Sequence, residues 1–140
     1  MMKHVVLDAS IALSWLLPGE ETRLTLPLRD RAAENLQLDL IVPPIFWYEV
    51  GNALWVAVRR YRIAQSDAVK ALESLMEFQL SVWVAEPMSC LSLSLEHNIA
   101  VYDAAYLSLA MDKDSILWSI DKALRNVAES LGVHVEPGQA

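Results

Sequence analysis

Short apolar runs alternate along this chain with longer stretches in which apolar residues recur every three or four positions. The first run, His4-Val5-Val6-Leu7, follows Lys3 and stops at Asp8, which predicts a short buried strand over Lys3–Leu7. A helix is expected over Ala9–Leu17, halted by Pro18-Gly19. Glu20 to Asn35 also reads as helical, against the presence of Pro27. Leu40–Val42 is a second strand, and Pro43-Pro44 then open a long helix, about Ile45 to Tyr61, with proline near the start, where its missing N–H is tolerated. Gln65 or Ser66 caps a helix running to about Leu80, Val82–Val84 is a strand, and Pro87–His97 is a helix. Ile99 or Ala100 leads into Asp103, which begins a helix ending near Asp112. Ile116–Ile120 is a strand; Asp121 or Lys122 starts a helix that Gly132 stops, and Val133–Val135 is the last strand. Strands alternating with helices in this way predict an α/β domain, a central parallel sheet covered on both faces in three α/β/α layers. A chain of 140 residues suits one domain, taken as residues 1–137 with 138–140 as a tail.

In such sheets functional groups gather beyond the carboxyl ends of the strands, so acids at those positions matter. Asp8 directly follows the first strand, Asp121 follows Ile116–Ile120, and Asp103 opens its helix. Each reads equally well as a helix N-cap, whose short carboxylate accepts hydrogen bonds from first-turn N–H groups; beside Asp8, Ser10 is a second candidate for that work. Glu49 is different. Its helix, Ile45 to Val58, is apolar nearly all round, so most of it is expected to be buried. A buried ionised carboxylate is costly unless it is paired or binds a metal, and an arginine salt bridge is the competing explanation. Asn52 lies three residues on and shares its face. The pattern therefore places three acids at strand-to-helix junctions and a fourth in an apolar helix. Carboxylates that converge repel one another, and a hard divalent cation such as Mg²⁺, which takes carboxylate and water oxygens, relieves that repulsion.

The formal net charge of −7 counts against a nucleic-acid role, because phosphate binding ordinarily uses a basic face. Two divalent ions on four carboxylates would bring it to about −3 (−7 plus 4). Arg59, Arg60 and Arg62 form the one dense basic cluster, either a substrate contact or a solvated helix end favoured by the helix dipole. A hydrophobic fraction of 54% excludes a disordered chain and leaves apolar residues over for a subunit or partner interface. The apolar stretch Leu40–Val58 is broken by Pro43, Pro44, Glu49 and Asn52, so no membrane span is expected. Asp8 interrupts the N-terminal apolar run, and Pro18-Gly19-Glu20-Glu21 follows without a small-residue cleavage pattern, unlike a signal peptide. The lone Cys90 can form neither an internal disulfide nor a cysteine-rich zinc site, and a cytoplasmic location is expected.

Four strings then carry a family resemblance. They are Asp8-Ala9-Ser10 with Trp15-Leu16-Leu17-Pro18-Gly19-Glu20 after it; Glu49-Val50-Gly51-Asn52-Ala53-Leu54 followed by Arg59-Arg60-Tyr61-Arg62-Ile63; Tyr102-Asp103-Ala104-Ala105-Tyr106-Leu107-Ser108-Leu109-Ala110; and Ser119-Ile120-Asp121-Lys122-Ala123-Leu124, closed by Leu131-Gly132-Val133. In order, over nearly the whole chain, they resemble PIN-domain ribonucleases, especially the VapC toxins. The resemblance implies that Asp8, Glu49, Asp103 and Asp121 form a catalytic site for Mg²⁺, or Mn²⁺ in its place, with Ser10, Asn52 and Ser119 in support. It further implies an endoribonuclease that is the toxin of a toxin–antitoxin pair, leaving 5′-phosphate and 3′-hydroxyl ends. A homodimer and a VapB-like antitoxin are implied as well. Ser119 stands where the family usually has threonine and keeps the hydroxyl. Ile99-Ala100-Val101 is less polar than the usual lead-in to the third motif.

The chemistry suits these residues. Phosphodiester hydrolysis needs an activated water and a stabilised leaving oxygen, and one or two divalent ions on carboxylates supply both. His4, His97 and His134 lie outside the motifs and read as structural or exposed. Two other readings stand beside this one. An α/β phosphatase with Asp8 as nucleophile generally needs a second acid two residues on, where Ser10 stands. A non-catalytic PIN-fold binding module needs no such acids, and four are present. Metal-dependent RNA cleavage separates the three.

Overall fold

The structure, a computed structural model, describes residues 3–19, 23–34 and 37–138. Its strands are β1 (Lys3–Leu7), β2 (Leu38–Val42), β3 (Ser81–Val82), β4 (Ile116–Trp118) and β5 (Val135–Glu136), all parallel in one sheet of order β3-β2-β1-β4-β5. The helices among the described residues are α1 (Ala9–Leu16), α2 (Leu26–Glu34), α3 (Ile45–Arg59), α4 (Gln65–Met76), α5 (Pro87–His97), α6 (Val101–Asp112) and α7 (Lys122–Ser130).

Val5, Val6 and Leu7 of β1 are all buried, as are Leu40, Ile41 and Val42 of β2. Successive strand residues point to opposite faces, so the centre of the sheet is covered on both sides, as the unbroken apolar runs predict. Trp118 of β4, Phe46 of α3, Leu75 of α4, Tyr106 of α6 and Leu124 of α7 fill the core around it. Each large side chain so buried contributes about 1.5–3 kcal/mol, which makes β1 and β4 a firm base for whatever follows them. The strand order also reverses between these two: from β1 the chain steps to β2 and β3 on one side, then returns to β4 and β5 on the other. The crevice beyond the carboxyl ends at such a point is where open α/β sheets place ligands. The Asp8 N–H donates to the Trp118 carbonyl at 2.9 Å, tying β1 to β4 at the mouth of that crevice.

Several boundaries differ from expectation for local reasons. The helix expected from Glu20 begins at Leu26, after a turn over 23–25, with Pro27 in its first turn, where no N–H is needed; residues 20–22 and 35 lie outside the described residues. α3 stops at Arg59 and α4 at Met76 instead of Tyr61 and Leu80, because Tyr61 and Gln79 take left-handed conformations (φ 59° and 56°). Ala64, not Gln65 or Ser66, is the N-cap of α4, and its N–H donates to Asp67 Oδ2 at 3.3 Å. β3 is Ser81–Val82, so Trp83 and Val84 fall beyond it. β5 is Val135–Glu136 because Gly132 (φ 79°) and the Val133 N–H, bonded to the Ala128 carbonyl, still close α7. β4 ends at Trp118, as Ser119 and Ile120 turn toward α1.

Two further differences bear on function. α6 starts at Val101 with Ala100 as N-cap, and α5 precedes it through the left-handed Asn98 (φ 56°). Asp103 therefore sits at a helix-to-helix junction, and only Asp8 and Asp121 follow strands. Nor is α3 mostly buried: Phe46, Val50, Leu54 and Ala57 face the core, whereas Tyr48 and Trp55 are 73% and 55% exposed. No helix of the described residues is long and apolar enough to cross a membrane.

Candidate active site

Asp8 emerges from β1 into the crevice with only 5% of its surface exposed. It occupies the N-cap position of α1, yet its side chain makes no capping bond. Instead, Ser10 Oγ donates to its Oδ2 at 2.6 Å and Ser119 Oγ donates to the same oxygen at 2.7 Å. A hydroxyl can donate once and still accept, and both serines do so. Ser10 Oγ accepts from the Ile120 N–H and Ser119 Oγ from the Asp121 N–H, each at 3.1 Å. Arg125 of α7, nearly buried, donates to the Ser119 carbonyl at 2.7 Å. The loop after β4 is thus strapped to Asp8 at two points and backed by an arginine.

The cap question resolves differently for each aspartate. Asp121 is a true N-cap, its Oδ1 accepting from the Leu124 N–H at 3.0 Å. Asp103 lies in the first turn of α6 without acting as its cap. Glu49, half-buried on α3, has no arginine partner among the described residues; its Oε1 accepts from the Tyr106 hydroxyl at 2.5 Å. Burial raises the Asp8 pKa from 3.8 to about 6 against the pull of the two serine hydroxyls, and repulsion from Glu49 and Asp103 adds to it. Burial likewise raises Glu49, with Tyr106 opposing and Asp103 adding. It raises Asp103 too, with Asp121 adding. These repulsions link all four acids, from α3 and α6 to the ends of β1 and β4.

Among the described residues no three acidic, histidine or cysteine side chains already stand in an arrangement that would hold one ion. The donor chemistry still fits a hard divalent cation, because the cluster offers carboxylate oxygens without imidazole or thiolate. Mg²⁺ keeps several waters and needs only one or two carboxylates in direct contact. Asp8 suits that use, since both serine bonds fall on Oδ2 and not on Oδ1.

The remaining expected residues divide. Asn52 is exposed and makes no hydrogen bond among the described residues, so nothing places it in the cluster. Arg59 and Arg60 are exposed at the end of α3, Arg59 lying over the Trp55 ring at 4.9 Å. Arg62 is committed elsewhere: it donates to the Pro18 carbonyl at 2.7 Å, holding the loop after α1. His4 lies 3.1 Å from Asp39 at the start of β1, and His97 and His134 stand near Glu96 and Glu136, all apart from the acids. Sequence reasoning assigned no role to Tyr106 or Arg125. A signal existed for both: Tyr106 follows Asp103 by three and shares its helix face, and Arg125 is a charge next to Leu124 on the buried side of α7.

The PIN domain family model matches residues 5–130, and the chain belongs to that family. It is 34% identical over 137 residues to Ribonuclease VapC3 of Pyrobaculum aerophilum, covering 95% of this chain and 98% of the relative. Its fold is similar to the crystal structure of PAE2754 from Pyrobaculum aerophilum (TM-score 0.72, 23% identity, 96% of this chain and 83% of that one). It is also similar to VapBC-1 from nontypeable Haemophilus influenzae (TM-score 0.61, 15% identity, 95% and 96%).

Proposed function

We propose that this protein is a divalent-metal-dependent endoribonuclease and the toxin half of a toxin–antitoxin pair. The observation that carries the reading is Asp8 at the switch point of the sheet, buried and clamped by two hydroxyls instead of capping α1, with Glu49 and Asp103 near enough to repel it. Its relative over nearly the full length is named a ribonuclease. Asp8, Glu49, Asp103 and Asp121 would hold Mg²⁺ or Mn²⁺, which when bound supplies an activated water and charge for the leaving oxygen of the phosphodiester. The chain's own part is positioning. Ser10 and Ser119 fix the rotamer of Asp8, and Arg125 with Ser119 fixes the loop that presents Asp121. The first turn of α6 presents Asp103.

Arg59 and Arg60 are the exposed cations proposed to meet RNA phosphates, whereas Arg62 serves the fold. Purified protein is expected to cut a structured RNA into fragments with 5′-phosphate and 3′-hydroxyl ends. Arg59→Ala with Arg60→Ala should weaken RNA binding and lower its salt slope by up to about 2. Cyclic-phosphate ends would contradict hydrolysis by water, and an unchanged slope would remove the arginines from the interface.

The toxin role brings two protein partners, a second copy of the chain and a VapB-like antitoxin. Exposed apolar side chains such as Trp55 and Val69 on α3 and α4, and Met88, Leu91 and Leu95 on α5, offer surface for them. Expression in the native host without any partner should arrest growth. Normal growth alongside activity of the purified protein on RNA would leave a ribonuclease that is not a toxin, and a monomer by sedimentation would remove the homodimer.

A further inference from the structure

We propose that Tyr106 is the positioning residue for Glu49, and that its hydroxyl sets how tightly the site binds its divalent cation. The inference rests on the reading of Glu49 as a ligand. Tyr106 is fully buried, its ring in the core and its hydroxyl 2.5 Å from Glu49 Oε1. The same helix face carries Asp103 one turn earlier, so α6 presents one acid directly and steers a second through the phenol. Tyr106 thereby joins α6 to α3 at the site.

The chemical type of this partner matters. Glu49 is a long side chain on a helix face, and nothing else among the described residues bonds its carboxylate. A lysine or arginine in the place of Tyr106 would neutralise Glu49 and compete with a cation. A phenol orients the carboxylate while leaving its charge for the ion, as outer-shell partners of metal ligands do.

Tyr106→Phe removes one oxygen atom and keeps the ring that fills the core. Calorimetric titration of RNA-free protein with Mn²⁺ should show a dissociation constant about tenfold higher than wild type. The Mg²⁺ concentration for half-maximal cleavage should rise by the same factor, with a smaller loss of rate at saturating metal. Adding Tyr106→Phe to Glu49→Gln should weaken Mn²⁺ binding no further, because the hydroxyl acts through that carboxylate. Wild-type affinity in Tyr106→Phe overturns the inference while leaving the metal site intact. So does an undiminished tenfold loss in the Glu49→Gln background. If the wild type itself binds no Mn²⁺, the proposed function falls and this inference falls with it.

Discussion

Asp8→Asn is expected to abolish RNA cleavage and, in the metal-free protein at neutral pH, to raise the melting temperature. The two effects share one cause. Asparagine keeps an oxygen that can accept from Ser10 and Ser119, but it brings no charge to the crevice. Burial of the wild-type carboxylate, with repulsion from Glu49 and Asp103, lifts its pKa from 3.8 to about 6. A difference of that size between folded and unfolded states corresponds to roughly 3 kcal/mol. Because the folded pKa is the higher one, the favourable contribution is fully present below pH about 4 and is lost as pH rises through about 6. Glu49 and Asp103, also raised, act in the same sense. The advantage of Asp8→Asn should therefore be near zero at pH 4 and grow to about 1–3 kcal/mol above pH 7, on the order of 3–10 °C for a domain of this size. Melting curves in chelator across that pH range measure it. A lower melting temperature for the variant at pH 7.5 would make Asp8 a structural acid and undo the strain assigned to it.

How much of this was legible beforehand depends on how local each feature is. β1 and β2 read clearly because three successive buried residues in each leave an unbroken apolar run. β3 and β5 did not, since two-residue strands carry no periodicity and their ends are set by turns at Gln79 and Gly132. Asp8 and Asp121 were legible from their places after strands. Asp103 is expected at a strand-to-helix junction and lies at a helix-to-helix one, because nothing in Asn98-Ile99-Ala100 separates a strand from a three-residue helix connection. Glu49 stood out as a charge in an apolar helix, although Tyr48 and Trp55 of that helix turn out to face solvent. The partner of Glu49 was not legible: it depends on α3 meeting α6, residues 57 positions apart. The engagement of Arg62 with Pro18 was hidden for the same reason, and Asn52 shows that sharing a helix face with a site residue does not place a side chain in the site.

Removing divalent metal is expected to have the other large effect, loss of all RNA cleavage together with a loss of stability. At 4 Å and an effective dielectric near 20, a like-charged pair of carboxylates repels by about 4 kcal/mol before relaxation, and protonation or a cation relieves it. As pH rises above about 6 Asp8 loses the relief that protonation gives it, and the cation must supply it. Mg²⁺ at a hundredfold excess over its dissociation constant should then stabilise the wild type by about 2.7 kcal/mol, and Asp8→Asn by much less. The most direct measurement is the rate of RNA cleavage by purified wild-type protein, first in excess chelator and then across increasing free Mg²⁺. The expected result is no cleavage in chelator and a saturable return as Mg²⁺ is added; cleavage that continues undiminished in chelator would contradict a cation held by Asp8, Glu49, Asp103 and Asp121.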